Sequence, residues 1–260
     1  MTDPLADQAA SDRLFVTALA RGLDVLRAFQ AGERSLGNQE LAQRTRLPKS
    51  TVSRLTHTLC KLGYLVQDVH SGRYQLGAAV LTLGYAALAN LDIRDRAQPL
   101  MRALSDATGL SVTLGALHGT RIVYVEACRA PTRVGIRLDV GSSVPLAITA
   151  IGRAAYSALD EAARERLERQ LALEHGAHWP RLREGLALAR QQWLREGFCR
   201  SFGEFEADIY AVAVPLAARP GETPLALNCS GPAYRLSEAQ WAEEIAPKLI
   251  ALAQTLSASR

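Results

Sequence analysis

Residues 47–63 read LPKSTVSRLTHTLCKLG, and the periodicity of this stretch decides the fold of the N-terminal third. Val52, Leu55, Leu59 and Leu62 recur at steps of three, four and three, which a helix gathers into one buried stripe. Pro48 suits the first helical position, where a missing N–H costs nothing, and Gly63 suits the position just past the end. The other face of the first two turns carries Lys49, Ser50, Thr51, Ser53, Arg54 and His57, hydroxyls and cations with no carboxylate among them. That face suits a phosphate-lined groove. A merely solvated face is the competing reading for this helix taken alone.

The flanks place the helix in a larger unit. Residues 1–12 read as an unstructured start. Leu19, Leu23, Leu26 and Phe29 then make an amphipathic helix ending near Gln30. A shorter helix over Asn38–Arg44 follows, with Asn38 as its cap and Leu41 and Ala42 inward. Beyond Gly63, Tyr64–Gln67 and Arg73–Leu76 alternate as two strands around a turn at Asp68–Gly72. Three helices and a hairpin make a winged helix-turn-helix over residues 13–77, with His70 and Arg73 on the wing. Between Arg34 and Arg73 there are seven basic residues (Arg34, Arg44, Arg46, Lys49, Arg54, Lys61 and Arg73) against Glu40 and Asp68, whereas the whole chain carries a net charge of only +4. Positive charge concentrated this way is the footprint of a polyanion site.

Composition narrows the class. The 260 residues are 48% apolar, enough for substantial cores. Cys60, Cys128, Cys199 and Cys229 lie far apart, so reduced thiols are expected rather than a zinc ribbon or a disulfide framework. The start MTDPLADQAASD is acidic and has no secretory pattern. The most lipid-like run, Val80–Leu91, is too short to span a bilayer. A cytoplasmic chain with no membrane partner is expected. Residues 78–91 form a helix apolar on nearly all sides, which must find cover. A second copy of the chain would supply it, and packing on its own C-terminal domain is the alternative.

Over residues 92–260 the pattern is α+β. A helix at Ile93–Thr108 precedes strands at Ser111–Leu117, Arg121–Ala127 and Arg133–Val140. Helices follow at Thr149–Ala158, Glu161–Leu173 and Trp179–Gly197, then strands at Ala211–Ala217 and Pro224–Cys229, and a last helix over Ser237–Leu256 capped by Ser237. An antiparallel sheet flanked by helices accounts for this order. No phosphate-binding loop, dinucleotide fingerprint or nucleophile elbow occurs, so no catalytic residue and no cofactor is nominated. His175 and His178 read as a surface pair rather than a metal site. Glu204, Glu206 and Asp208 read as one acidic strand face. Val144–Leu146 leads into Thr149–Gly152, a strand-to-helix turn whose N–H groups can hold a carboxylate and where Gly152 permits close approach.

The chain resembles the IclR family of bacterial transcription regulators. The resemblance is carried by ALARGLDVLRAF (18–29), LPKSTVSRLTHTLCKLGYL (47–65), GRYQLG (72–77), LDIRDRAQPLMRAL (91–104), VPLAITAIGRA (144–154) and SGP (230–232). It implies a linker helix that helps pair subunits into a homodimer or tetramer, and a GAF-like effector-binding domain. It also implies double-stranded DNA with a pseudo-palindromic operator as partner. Lys49, Ser50, Thr51, Ser53, Arg54 and His57 then enter the major groove while Arg44, Arg46 and Arg73 hold the backbone. Carried over by position, the effector pocket comprises Ile136, Ala150, Ile151, Gly152, Ile209, Ala211, Asn228 and Ser230. Arg133 joins it if the strand register brings it in, and a cation there would favour a small carboxylate. Two departures stand out. Ser201 replaces an acidic residue of some members, and Ala211 replaces a cysteine.

Overall fold

The computed structural model describes residues 14–30, 32–129, 138–217 and 222–258. The chain divides into two compact units, 1–90 and 91–260.

In the first unit, α1 (Thr17–Arg27), α2 (Asn38–Thr45) and α3 (Lys49–Lys61) precede the hairpin β1 (Leu65–Gln67) and β2 (Tyr74–Leu76), and α4 (Ala78–Ala89) follows. The core joins Val25, Leu36, Leu41, Ala42, Val52, Leu65 and Tyr74, with Leu26, Phe29, Leu55 and Leu59 packed against it. Leu36 and Tyr74 exchange both backbone hydrogen bonds, at 2.9 and 2.8 Å, which ties the segment before α2 to the wing. The winged helix-turn-helix expected from the periodicity is therefore present.

Three details of the sequence reading need correction. Leu19 and Leu23 are 64% and 44% exposed, because only the C-terminal half of the α1 stripe meets the core. Leu62 is 62% exposed: it caps α3, and the chain turns into the wing before its side chain can reach the core. Asn38 is not the cap of α2; Gly37 is, and the Glu40 carboxylate accepts from its N–H at 2.7 Å. α4 is apolar as expected, yet none of its residues is buried, and Leu81 and Tyr85 are 76% and 73% exposed.

In the second unit, α5 (Asp92–Thr108), β3 (Ser111–His118), β4 (Arg121–Cys128) and β5 (Ser143–Pro145) are followed by α6 (Ala150–Ser157), α7 (Glu161–His175) and α8 (Trp179–Glu196). β6 (Cys199–Phe202), β7 (Ile209–Pro215) and β8 (Leu225–Pro232) complete a sheet of order β5-β4-β3-β8-β7-β6. Each neighbouring pair in it is antiparallel. The last helix opens on a Ser237 capping box, passes a π-turn at Trp241–Ile245 and runs on as α9 (Ala246–Ala258). α5 and α9 cover one face of the sheet and α6 the other, with α8 and α7 outside it.

Strand alternation sends Val112, Leu114, Val212, Val214, Leu227 and Cys229 to the α5/α9 side. The α6 side is built of Ala211, Ala213, Ala226, Ala150, Ala154 and Ala155, with Ile122, Tyr124 and Ile151. Small residues on both partners let α6 lie close to the strands. β6 is missing from the sequence reading because its four residues are too few to show a period. The expected strand at Arg133–Val140 lies mostly outside the described residues, and 138–140 are not strand. Glu204, Glu206 and Asp208 do not share a strand face; they lie in the bends between β6 and β7. Cys128, Cys199 and Cys229 are buried free thiols and Cys60 is half-buried. Burial pushes the Cys199 and Cys229 thiols up to about 12, so neither is a ready nucleophile.

Candidate nucleic-acid interface and effector pocket

The outward face of α3 is what the helix leaves over once Val52 and the buried Thr56 turn inward. Lys49, Ser50, Ser53, Arg54 and His57 are exposed and Thr51 is half-buried. A groove of about 720 Å³ runs beside them, walled by Thr51, Arg54, His57 and Thr58 of α3 and by Ala18 and Arg21 of α1. Arg21 was missed in the sequence because α1 was read only for its core stripe. Its place off the Leu19–Leu23–Leu26 stripe, on the polar side of α1, was the available signal.

Side-chain bonding sorts this set. The amide of Asn38 spans the two helices of the motif, donating to the Lys49 carbonyl at 3.3 Å and to Ser53 Oγ at 3.1 Å. Ser53 Oγ in turn donates to the Lys49 carbonyl at 3.0 Å. Its one proton is thus committed inside the protein, which leaves the hydroxyl its acceptor capacity on the exposed side. Arg54 and Arg46 are exposed and form no ion pair with another described residue.

Arg44 and Arg73 are placed differently. Arg44 closes a fork on Glu33, Nη1 to Oε2 and Nη2 to Oε1 both at 2.6 Å, and Nη1 also donates to the Ala28 carbonyl at 2.8 Å. That fork holds the Glu33 carboxyl down at about 2, so it stays ionised at physiological pH. Arg73 turns back from the wing, donating to Ser35 Oγ and the Ser35 carbonyl at 3.0 and 2.9 Å and pairing with Glu40 at 2.8 Å. Both arginines therefore brace the unit from within. His70 stays exposed at the wing turn, which Asp68 closes by accepting from the Ser71 N–H and hydroxyl, both at 2.7 Å.

In the second unit the register brings most of the nominated pocket onto the α6 face. Ser201, Ala211 and Ser230 stand side by side across β6, β7 and β8, and Asn228 lies in the next row beside Ala213 and Thr113. Ile209 shares the parity of Ala211 at the open, half-buried end of β7. Ala150 and Ile151, each 1% exposed, open α6 above this face. Arg133 and Ile136 lie outside the described residues. Ser201 Oγ donates to the Ile148 carbonyl at 2.8 Å and so holds the turn before α6. Thr149 Oγ accepts the Gly152 N–H at 3.2 Å and donates to the Pro145 carbonyl at 2.6 Å. Gly152 therefore serves the close packing of that turn, its N–H already used.

Two further residues belong with Asn228. Its Nδ2 donates to Thr113 Oγ at 3.4 Å, and Tyr124 of the neighbouring strand faces the same side of the sheet. Burial pushes the Tyr124 hydroxyl up to about 12, so it stays protonated and available as a donor. This polar strip crosses an otherwise alanine-rich layer, the kind of convergent polar group that fixes a small molecule's orientation. Alternation alone could not reveal it, since Asn228 and Thr113 are 115 residues apart. Arg153, by contrast, is used structurally: it donates to the Arg200 carbonyl at 2.9 Å and pairs with Glu204 at 2.8 Å.

A winged helix with an exposed cationic reading face, followed by an α+β unit with a polar strip under its first sheet-covering helix, defines a DNA-binding transcriptional regulator. The comparisons agree. The family model "IclR helix-turn-helix domain" matches residues 18–69, and "Bacterial transcriptional regulator IclR C-terminal" matches residues 85–258. The regulator TsaQ1/TsaQ2 of Comamonas testosteroni is 36% identical over 245 residues, covering 94% of this chain and 88% of its own length. The Pca regulon regulatory protein of Pseudomonas putida is 33% identical over 247 residues, covering 93% and 83%. The crystal structure of an IclR family transcriptional regulator from Brucella abortus superposes with a TM-score of 0.87 at 42% identity, covering 96% of this chain and 94% of that one. The chain belongs to the IclR family of bacterial transcriptional regulators, and DNA is its partner. Among the described residues no helix is long and apolar enough to cross a membrane.

Proposed function

We propose that a homodimer of this chain reads a pseudo-palindromic operator in the cytoplasm and releases or engages it in response to a small organic acid, without catalysing a reaction. The observation that carries the DNA half is the carboxylate-free, exposed face of α3. Lys49, Ser50, Thr51, Arg54 and His57 enter the major groove, Ser53 accepts, and Arg46 meets the phosphates. Arg44 and Arg73 act one step back, holding α2 and the wing in place. Residues 13–77 form the reading domain, 78–91 a linker and 92–260 the sensing domain. The exposed Leu81 and Tyr85 on α4 support pairing through the linker, since an apolar helix left in water is costly. A gel-shift titration tests the groove assignment. Arg54→Ala is expected to cost about 1–3 kcal/mol on the operator, roughly 5- to 150-fold, and unchanged affinity would remove Arg54 from the reading face.

The effector half rests on the polar strip. The acid's carboxylate lies by the first turn of α6 at Ala150 and Ile151, and Asn228, Thr113, Tyr124 and Ser230 meet its remaining polar groups. Such a ligand controls DNA binding only through unequal affinity for two arrangements of the dimer. Thermal denaturation of the full chain with aromatic and aliphatic acids is the measurement. At a hundredfold excess over Kd the sensing unit gains about 2.7 kcal/mol. A flat response to the whole panel would eliminate an acid effector.

A further inference from the structure

We propose that Arg46 holds a strained backbone conformation for the sake of a phosphate contact, so that it lowers the stability of the DNA-reading unit while raising its affinity for DNA. The proposal rests on the DNA-reading assignment above and adds what one residue costs the fold and what it gives to binding.

Among the described residues, positive φ is otherwise confined to glycine: Gly32, Gly63, Gly72, Gly109, Gly119, Gly141, Gly176, Gly197 and Gly203. Arg46, at φ 57° and ψ 24°, is the one exception. Its position demands that conformation. α2 ends at Thr45 and α3 begins at Lys49, so the chain must reverse within three residues, and Arg46 does so as the left-handed cap of α2. At the equivalent caps of α5 and α8 the chain uses Gly109 and Gly197. A side chain with a Cβ crowds the following carbonyl there, which is why glycine is the usual occupant.

Among the described residues nothing compensates Arg46. It is exposed, and its side chain makes no ion pair or hydrogen bond with another described residue. Arg44, two positions earlier, is by contrast engaged with Glu33. Arg46 is also well placed for an anion. It precedes the N-terminus of α3 by three residues, where the helix's free N–H groups already favour a phosphate. A strained residue with no internal partner, beside a reading helix, is explained by an external one.

Three substitutions separate strain from charge: Arg46→Gly removes both, Arg46→Ala keeps the strain and removes the charge, and Arg46→Lys keeps both. The full chain is measured on a duplex selected from a random pool by the wild-type protein, and its thermal midpoint is recorded in parallel. Arg46→Gly is expected to raise the midpoint of the DNA-reading unit by about 3 °C, the scale on which a fraction of a kcal/mol moves a domain of this size. It should also bind about tenfold more weakly, with a slope of log K against log salt shallower by about one unit. Arg46→Ala should show the same loss on DNA with no gain in midpoint. Arg46→Lys should keep affinity within about threefold and restore the slope. Wild-type affinity and slope in Arg46→Gly overturn the phosphate contact. A midpoint in Arg46→Gly no higher than in Arg46→Ala overturns the strain. If the wild-type protein selects no duplex, the DNA reading itself fails and this proposal with it.

Discussion

Gly77→Ala is expected to cost the DNA-reading unit about 2–3 kcal/mol, at the upper end of what overpacking usually costs, and to weaken operator binding as well. Gly77 is buried where the wing ends and α4 begins, and its N–H donates to the Tyr64 carbonyl at 2.8 Å. A Cβ there would stand 2.1 Å from the Gly63 carbonyl oxygen and 2.9 Å from its carbon. Both obstacles are backbone, so no rotamer change relieves them. Gly63 itself follows the Leu62 cap of α3, at φ 78°. The end of the reading helix and the start of the linker are thus pressed together where neither has a side chain. An added methyl must push the two apart by roughly an ångström, tilting α4 against α3, and any pairing through α4 then presents the two reading helices at a wrong spacing. Calorimetry of the full chain should show the unit's transition falling by roughly 10–20 °C. An unshifted transition would mean that the contact is looser than these distances say.

Gly152→Ala is expected to do comparable or greater damage in the second unit, about 3 kcal/mol or more. The added Cβ would meet the Leu146 carbonyl oxygen, Cα and carbonyl carbon at 2.2, 2.4 and 2.6 Å. Here the turn from Leu146 to Thr149 folds back over the first turn of α6 and is fastened by the Thr149 hydroxyl on both sides. Moving it displaces Ala150 and Ile151 from the sheet face that carries Asn228 and Ser230. The transition of the sensing unit should fall, and whatever acid stabilises the wild type should lose its effect. The DNA-reading unit's own transition should stay where it is. A variant that melts as the wild type does and still responds to acid would refute this account of the turn.

Gly63 and Gly77 show how far sequence reading reaches. Gly63 was recognisable as a helix stop because a glycine after a periodic run has a local meaning. That Gly77 must also lack a side chain is not local, because the reason is another segment's carbonyl. Likewise the seven basic residues between Arg34 and Arg73 were countable, but their division was not. Glu33 and Ser35, which engage Arg44 and Arg73, lie 11 and 38 residues from them, and only the folded chain brings them within reach. The stripe on α1 was real as a pattern, yet Leu19 and Leu23 lie beyond the end of the core it was supposed to cover.

By itself, the sequence determined the order and kind of the long elements, the winged helix at the N-terminus, and the cationic, carboxylate-free face of residues 49–57. Helical period, caps and turns depend on neighbours a few residues away, and these are written side by side in the chain. Tertiary structure decided which cations are paired inside the protein and which stay exposed, which residues join Asn228 in a polar strip, and that an arginine occupies a turn built for glycine. Each of these depends on where distant segments meet, and that is set by the packing of whole helices and strands.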